Sequence, residues 1–282
     1  MKKIILLILI LNINSTFSQN YVANLNLMSS QNYFEGKNLY CKSENSESIR
    51  LFNLGIETLY LNRSLDKKYL KITSKVFFDA YKKDTTFCDA LFFTGYTLRL
   101  LGDKNALRLY IAADSSYNKS LEFKTNLAAE CLRYGNEKTV KIARKKYTEI
   151  IKLFPENPEG YYGFAITSPI LGDHEKGLEN INIAIEKYKN VNQKLKDDVI
   201  FLQAILLSMN NKHNEALENF DKVYSSYKKD FNFKVYYSLS LLKVSEEKKD
   251  EKMKKKALGM YEKIKEKDQI PKEIKDQFVF SS

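Results

Sequence analysis

Residues 143–184 decide the fold of this chain, and they read ARKKYTEIIKLFPENPEGYYGFAITSPILGDHEKGLENINIA. A small residue, a bulky residue and a second apolar residue recur there at positions i, i+4 and i+7, in two copies that start 34 residues apart. The copies are Ala143, Tyr147 and Ile150, and then Gly177, Ile181 and Ala184. Residues at this spacing share one face of a helix. A helix face that recurs at a fixed period indicates a stack of helical repeats.

The same three-residue stripe occurs at four further places along the chain. These stripes are Thr73, Phe77 and Ala80; Ala106, Tyr110 and Ala113; Ala216, Phe220 and Val223; and Ala257, Tyr261 and Ile264. We assign each stripe to the second helix of a pair, because another small residue stands eleven or twelve residues before four of them. Those residues are Gly95, Cys131, Ala165 and Ala204, while Gly55 and Ser238 fit if longer loops follow them. Small residues at these positions allow two antiparallel helices to approach closely.

Turn-forming residues punctuate the pattern where helices would be joined, as caps and repeat boundaries require. They are Gly102-Asp103, Gly172-Asp173, Asn210-Asn211, Pro155 and Pro158. This arrangement resembles the tetratricopeptide repeat, best over residues 143–189 and more weakly over the rest of residues 48–270. The matching positions of the best unit are Ala165, Gly172, Asp173, Gly177, Leu178, Ile181, Ala184 and Ile185. The resemblance implies an all-α, right-handed α-solenoid of antiparallel helix pairs, with about five to six repeats.

The first 18 residues have the pattern of a secretory signal peptide. Two lysines precede an apolar run at residues 4–11, and small residues lead up to a predicted cleavage before Gln19. A bilayer span needs about 20 apolar residues, so we expect no stable membrane insertion after cleavage. The chain is therefore expected to be an exported bacterial protein of the periplasm, or one that is secreted or held at the cell surface.

The rest of the chain is expected to fall into three parts. Residues 19–47 form an irregular N-terminal segment whose aromatic residues, among them Tyr40, are candidates for packing on the first helices. Residues 48–270 form the repeat domain, and residues 271–282 form a capping segment for its last apolar face. Residues 245–256 are interpreted as a charged insertion, and Pro169 is expected to end or kink its helix.

Charge and cysteine content exclude several classes of function. The net charge is +11, but basic and acidic residues are interleaved, whereas nucleic-acid binders cluster basic residues on one face. Three cysteines leave at least one thiol unpaired. Cys131 is interpreted as a structural filler in the small-residue position, and the sequence leaves open whether any pair is bridged. No spacing suggests a metal site, so we expect neither nucleic acid, nor metal, nor cofactor.

No catalytic motif is present in the sequence. The two histidines, His174 and His213, occupy equivalent turns of successive repeats, and packing at a turn explains them better than metal binding. Phosphate-binding loops, nucleophile elbows and zinc-binding helix motifs are missing. The sequence therefore predicts a protein that is not an enzyme.

The resemblance implies that the first helix of each pair lines a concave face that binds a protein or peptide. The candidate peptide-binding residues are Phe92, Tyr96, Arg99, Tyr162, Ile166, Phe201 and Ile205. Family members that clamp a C-terminal carboxylate use Lys and Asn at such positions, so this clamp is not expected here. A second interpretation is that these residues pack between neighbouring helices or are covered by residues 19–47.

Two functions follow from these observations. The first is an exported, non-catalytic scaffold that binds a protein or peptide segment through the concave face of the array. The alternative is a permanent structural or regulatory subunit of an envelope complex or of an enzyme, with its site in long loops.

Overall fold

The computed structural model describes residues 39–62, 64–190 and 195–279, in which every regular element is helical. The predicted all-α fold class is therefore confirmed. The helices are α1 Ser46–Leu61, α2 Lys67–Lys83, α3 Cys88–Leu100, α4 Ala106–Ser116, α5 Leu121–Tyr134, α6 Glu137–Leu153, α7 Pro158–Leu171, α8 His174–Asn190, α9 Asp197–Met209, α10 His213–Lys222, α11 Tyr224–Tyr227, α12 Phe231–Lys248, α13 Glu251–Glu262 and α14 Lys272–Val279, with a 3₁₀ turn at Lys267–Gln269. The predicted signal peptide lies outside the described residues.

The helices form two compact units that are separated in sequence between Tyr134 and Gly135. In the first unit, consecutive helices from α1 through α5 pack against one another. In the second unit the same holds from α6 to α10, and α12 packs on both α10 and α13. In the described part of the chain, no helix combines the length and the apolar content that crossing a bilayer requires.

All six predicted stripes are buried, and their residues other than Gly177 are 0–9% exposed. Gly177 is buried as well. The small residues of the partner helices are buried with them, since Cys131, Ala165, Ala204 and Ser238 are each 0% exposed. The periodic pattern therefore marks the interior of the helix stacks.

Close helix approach explains the glycines within the helices. A Cβ atom added at Gly55 in α1 would lie 2.6 Å from the Phe77 ring of α2. A Cβ atom added at Gly163 in α7 would overlap the Tyr147 ring of α6. Both rings belong to the predicted stripes, so the bulky stripe residue fills the space that a glycine leaves on the facing helix.

Helix ends follow the capping residues. The Asn157 side chain accepts a hydrogen bond from the Glu159 N–H, and Pro158 occupies the first turn of α7. Gly172 ends that helix with a left-handed φ of 79°, a conformation that glycine adopts without strain. Pro169 lies inside α7, two residues before its end. The predicted effect of Pro169 on helix length is consistent with that ending.

The charged segment 245–256 was expected to be an inserted loop, and this expectation is wrong. Helix α12 continues to Lys248, and α13 begins at Glu251 after a tight turn. Lys249 adopts a left-handed φ of 53° at this turn, and Asp250 caps α13 by accepting a hydrogen bond from the Met253 N–H. Lys and Glu favour helices as strongly as solvated loops, which explains the error.

The expected helix after Pro271 is present as α14. Its Phe278 ring stacks on the Tyr261 ring of α13, with centroids 3.9 Å apart. Tyr261 belongs to the last stripe, so α14 covers the end of the apolar interior.

Replacing Gly163 with alanine tests the close approach of α6 and α7. We expect Gly163→Ala to lower the free energy of unfolding by roughly 1–3 kcal/mol, because the added methyl group overpacks the contact with Tyr147. The matched control is Gly259→Ala in α13, where an added Cβ meets no atom within 4 Å. We expect this change to raise stability by about 0.5–1 kcal/mol, since alanine is the better helix former. Urea unfolding measures both values, and equal effects would contradict the packing.

Candidate binding surface

The seven side chains predicted to bind peptide lie inside the helix stacks. Six of them are between 0% and 7% exposed, and the Arg99 side chain is 10% exposed. The buried six are Phe92, Tyr96, Tyr162, Ile166, Phe201 and Ile205. The expectation of an open apolar stripe therefore needs correction, because these side chains are used in packing between neighbouring helices.

Aromatic and charged contacts account for the burial of Phe92 and Arg99 in the first unit. The Phe92 ring stacks on Phe123 of α5 with centroids 4.7 Å apart. Arg99 Nε lies 3.6 Å from a carboxylate oxygen of Glu130, which is 0% exposed. Arg133 donates two further hydrogen bonds to the same carboxylate. Two guanidinium groups thus compensate one buried carboxylate, as burial of a charge requires.

Similar contacts account for Tyr162 and Phe201 in the second unit. The Tyr162 hydroxyl donates a hydrogen bond of 3.2 Å to Asp198 of α9. The Phe201 ring stacks on Tyr227 of α11 with centroids 4.2 Å apart. Burial raises the pKa of Tyr162 well above its ordinary value. These residues hold neighbouring helices together.

Glu159 is the buried group whose protonation responds most clearly to pH near neutrality. It stands in the first turn of α7, is 6% exposed, and accepts a 2.5 Å hydrogen bond from the Tyr188 hydroxyl. Burial raises its pKa from 4.5 to about 7, against the opposing effects of Tyr188 and Lys196. A proton can be held on this carboxyl near neutral pH, but little of the side chain reaches solvent.

The histidine predicted to pack at a turn does so in the case of His213. Its Nδ1 atom lies 3.3 Å from the Ser240 hydroxyl, which donates to Ser208 at 3.0 Å. Burial lowers the pKa of His213. Because both serines are buried, this chain of polar groups links α9, α10 and α12 within the second unit.

An aromatic ridge on α7, formed by Tyr161 and Phe164, remains half-exposed. The Arg144 guanidinium lies 3.7 Å from the centroid of the Phe164 ring, and Lys187 Nζ lies 5.4 Å from that of Tyr161. Arg144 is held in place by two hydrogen bonds to Asp173, of 2.5 and 2.9 Å. The ridge therefore presents two rings flanked by cations, an arrangement suited to acidic or aromatic groups.

A disulfide joins Cys41 to Cys88, with Cα atoms 5.4 Å apart. The third cysteine, Cys131, lies outside the disulfide and is 0% exposed, as its predicted role as a filler requires. Cys41, Cys88 and Asp89 are the group of metal-ligand residue types that the described residues bring within 4.8 Å. The disulfide occupies both sulfur atoms, so the group does not offer thiolate ligands in this state.

The disulfide ties down a non-helical strap, residues 39–45, which bends at Tyr40 and Cys41 and precedes α1. The main-chain N–H groups of Tyr40 and Cys41 donate to one carboxylate oxygen of Asp89, at 2.9 and 2.7 Å. The Tyr40 ring lies 5.2 Å from the rings of both Tyr117 and Phe123, and its hydroxyl donates to Glu122. The sequence did not reveal these partners, because a non-helical strap has no periodicity, and Cys41 beside Tyr40 is the local feature that points to a tethered segment.

Comparisons of sequence find neither a matching family model nor a matching curated protein. Comparisons of structure find several similar folds. MamA 41-end from Desulfovibrio magneticus RS-1 has a TM-score of 0.55 and 15% identity, covering 67% of this chain and 99% of that one. PilF from Pseudomonas aeruginosa has a TM-score of 0.54 and 15% identity, covering 75% and 89%. YrrB, described as a TPR protein with an unusual peptide-binding site, has a TM-score of 0.52 and 14% identity, covering 68% and 93%. These likenesses show the tetratricopeptide-repeat fold that the sequence resembles.

Replacing Glu159 with glutamine tests its buried protonation. Folding raises the pKa of this carboxyl from near 4.5 to about 7. Ionising the buried carboxyl therefore lowers the free energy of unfolding, and this loss grows as the pH rises through that interval. The difference in unfolding free energy, Glu159→Gln minus wild type, should therefore increase by about 2 kcal/mol between pH 5 and pH 8. Urea unfolding across this range measures it. Parallel stability curves for the two proteins would show that Glu159 is not held in this way.

Proposed function

We propose that this chain, which has the fold of tetratricopeptide-repeat proteins, is an exported, non-catalytic scaffold that binds a segment of another protein. The observation that carries the proposal is that the periodic residues serve helix packing, which leaves recognition to the residues on the surface. The periodic apolar residues are buried in helix stacking, and buried charges such as Glu130 and Lys124 are paired with other charged side chains. Recognition is then the task of the surface, as in other repeat arrays.

The aromatic ridge is the part of the second unit that best suits this role. Tyr161 and Phe164 are half-exposed although their rings are large, and the cations of Arg144 and Lys187 lie over them. Aromatic residues and arginine are enriched where proteins bind one another. YrrB, a protein of similar fold, is a TPR protein with an unusual peptide-binding site, and this supports the same class of function for this chain.

The disulfide supports an exported setting. Disulfides persist in oxidising compartments and are rare in the reducing cytosol. The signal-peptide pattern of residues 1–18 and the Cys41–Cys88 bridge are independent features that favour the same location.

The alternative function is a permanent subunit with its site in long loops, and residues 245–256 no longer qualify as such a loop. Residues 245–256 belong to α12, a tight turn and α13. What remains of that alternative is the N-terminal segment, of which the strap is the described part. We therefore favour the binding scaffold.

Site-specific photo-crosslinking in the producing cells tests the ridge. A photoreactive amino acid in place of Tyr161 should give one discrete protein adduct, because this position lies within the proposed contact surface. The matched control is the same amino acid in place of Glu179, an exposed residue of α8, which should not give that adduct. The same adduct from both positions, or none from Tyr161, would contradict a specific contact at the ridge.

Export is tested by the N-terminus of the purified protein. We expect intact mass and N-terminal sequencing to show a mature chain that starts at Gln19. Changing Lys2 and Lys3 to glutamate should reduce processing, because the positive region is needed for signal function. A chain that retains Met1 in the native host would contradict export by this signal.

A further inference from the structure

The strap is seated in a slot that the helices build. Asp89 belongs to the first turn of α3, Glu122 and Phe123 belong to α5, and Tyr117 follows α4 directly. We call these four residues the strap slot. All four are positioned by helices of the first unit, whereas the strap itself has no helical structure before Ser46. The helices therefore form a preformed binding slot, and the strap is a bent, non-helical segment bound in it.

The contacts of the slot define what it recognises. One Asp89 oxygen accepts two successive main-chain N–H groups, a contact that requires a bent segment, since successive N–H groups converge on one anion only in turn-like backbone, and that proline cannot make. Tyr117 and Phe123 lie against one aromatic ring. Glu122 then accepts the hydroxyl of that ring, which distinguishes tyrosine from phenylalanine. Asp89 is 0% exposed, so a segment that replaced the strap would have to supply both N–H groups again to keep these two hydrogen bonds.

We propose that the strap slot is a recognition site for a bent, non-helical, tyrosine-bearing segment of a partner protein, and that the chain's own Tyr40 and Cys41 occupy it while the Cys41–Cys88 disulfide is closed. The proposal rests on the proposed binding function and names a site and a ligand class for it. The occupant class follows from the segment already seated there, whose main chain and tyrosine supply every contact.

Reduction of the disulfide by an external dithiol would release the occupant. One thiolate of the dithiol attacks Cys41 Sγ, since Cys41 is partly exposed whereas Cys88 is 1% exposed. The S–S bond breaks and Cys88 leaves as a thiolate that takes up a proton. The second thiol of the dithiol then displaces Cys41. The protein gains two thiols, and the dithiol becomes a disulfide.

Peptide binding to the full-length mature protein tests the slot. The probe is a fluorescent synthetic peptide of residues 37–44 carrying Cys41→Ser. Anisotropy titrations compare the oxidised protein, the protein treated with dithiothreitol, and the double variant Tyr40→Ala/Cys41→Ser, whose strap cannot fill the slot. We expect the double variant to bind the probe at least tenfold more tightly than the oxidised protein, with the reduced protein in between, because its own strap still competes.

Control peptides and a fold check make the result decisive. The probe with Tyr40→Ala should lose binding, and the probe with Tyr40→Phe should bind several-fold more weakly, because only the hydroxyl is removed. Circular dichroism verifies that the double variant is folded. If it is not, the comparison of oxidised with reduced wild type decides.

Three results would overturn the proposal. The first is equal binding of the probe to the oxidised protein and to the double variant. The second is equal binding of the Tyr40→Ala peptide and the probe. The third is a strap-exchanged dimer of the reduced protein that excludes the probe, which would assign the slot to a second copy. A failed titration together with a specific adduct from Tyr161 would remove the slot and leave the proposed scaffold function standing.

Discussion

Helix stacking in this protein depends on one recurring contact, in which a small residue of one helix faces a bulky stripe residue of the next. Gly163 against Tyr147 and Gly55 against Phe77 are two examples, in which an added Cβ would lie 2.1 and 2.6 Å from the ring. A helix pair cannot bury its apolar face alone, so stability is distributed over contacts between neighbours in sequence. This constraint explains why the stripes recur at a nearly fixed period, and why so many aromatic side chains are withdrawn from the surface.

Buried charged side chains are likewise compensated by nearby side chains of opposite charge. Glu130 is paired with Arg99 and Arg133, and Lys124 lies 3.1 Å from Asp114, with both side chains almost fully buried. Such pairs add little net stability, but removing one partner is costly, because it leaves an uncompensated charge inside the protein. The buried polar groups thus fix the register of the helices. They are poorly placed to act on a substrate, and this shifts attention to the ridge and the strap slot.

The sequence predicted the helix stack well because periodicity reports directly which face of a helix is apolar. It left two interpretations open for the candidate peptide-binding residues, because the same periodicity does not reveal whether a neighbouring helix covers that face, as happens to Tyr162 and Phe201. It also treated residues 245–256 as a loop, since lysine and glutamate suit both a helix and a solvated turn. The contacts of the strap could not be predicted from sequence, because they join Tyr40 to residues up to 83 positions away and three cysteines allow three different pairings.

The stacked helices exclude solvent from their small-residue positions, and a disulfide ties the strap to them. Counting reactive thiols tests both features at once, because Cys131 occupies a small-residue position at 0% exposure while Cys41 and Cys88 are joined. Titration with a thiol reagent, without reductant, should find no reactive thiol in the native protein and one in denaturant. A thiol that reacts in the native state would contradict the sealed stack, and three reactive thiols in denaturant would contradict the tethered strap.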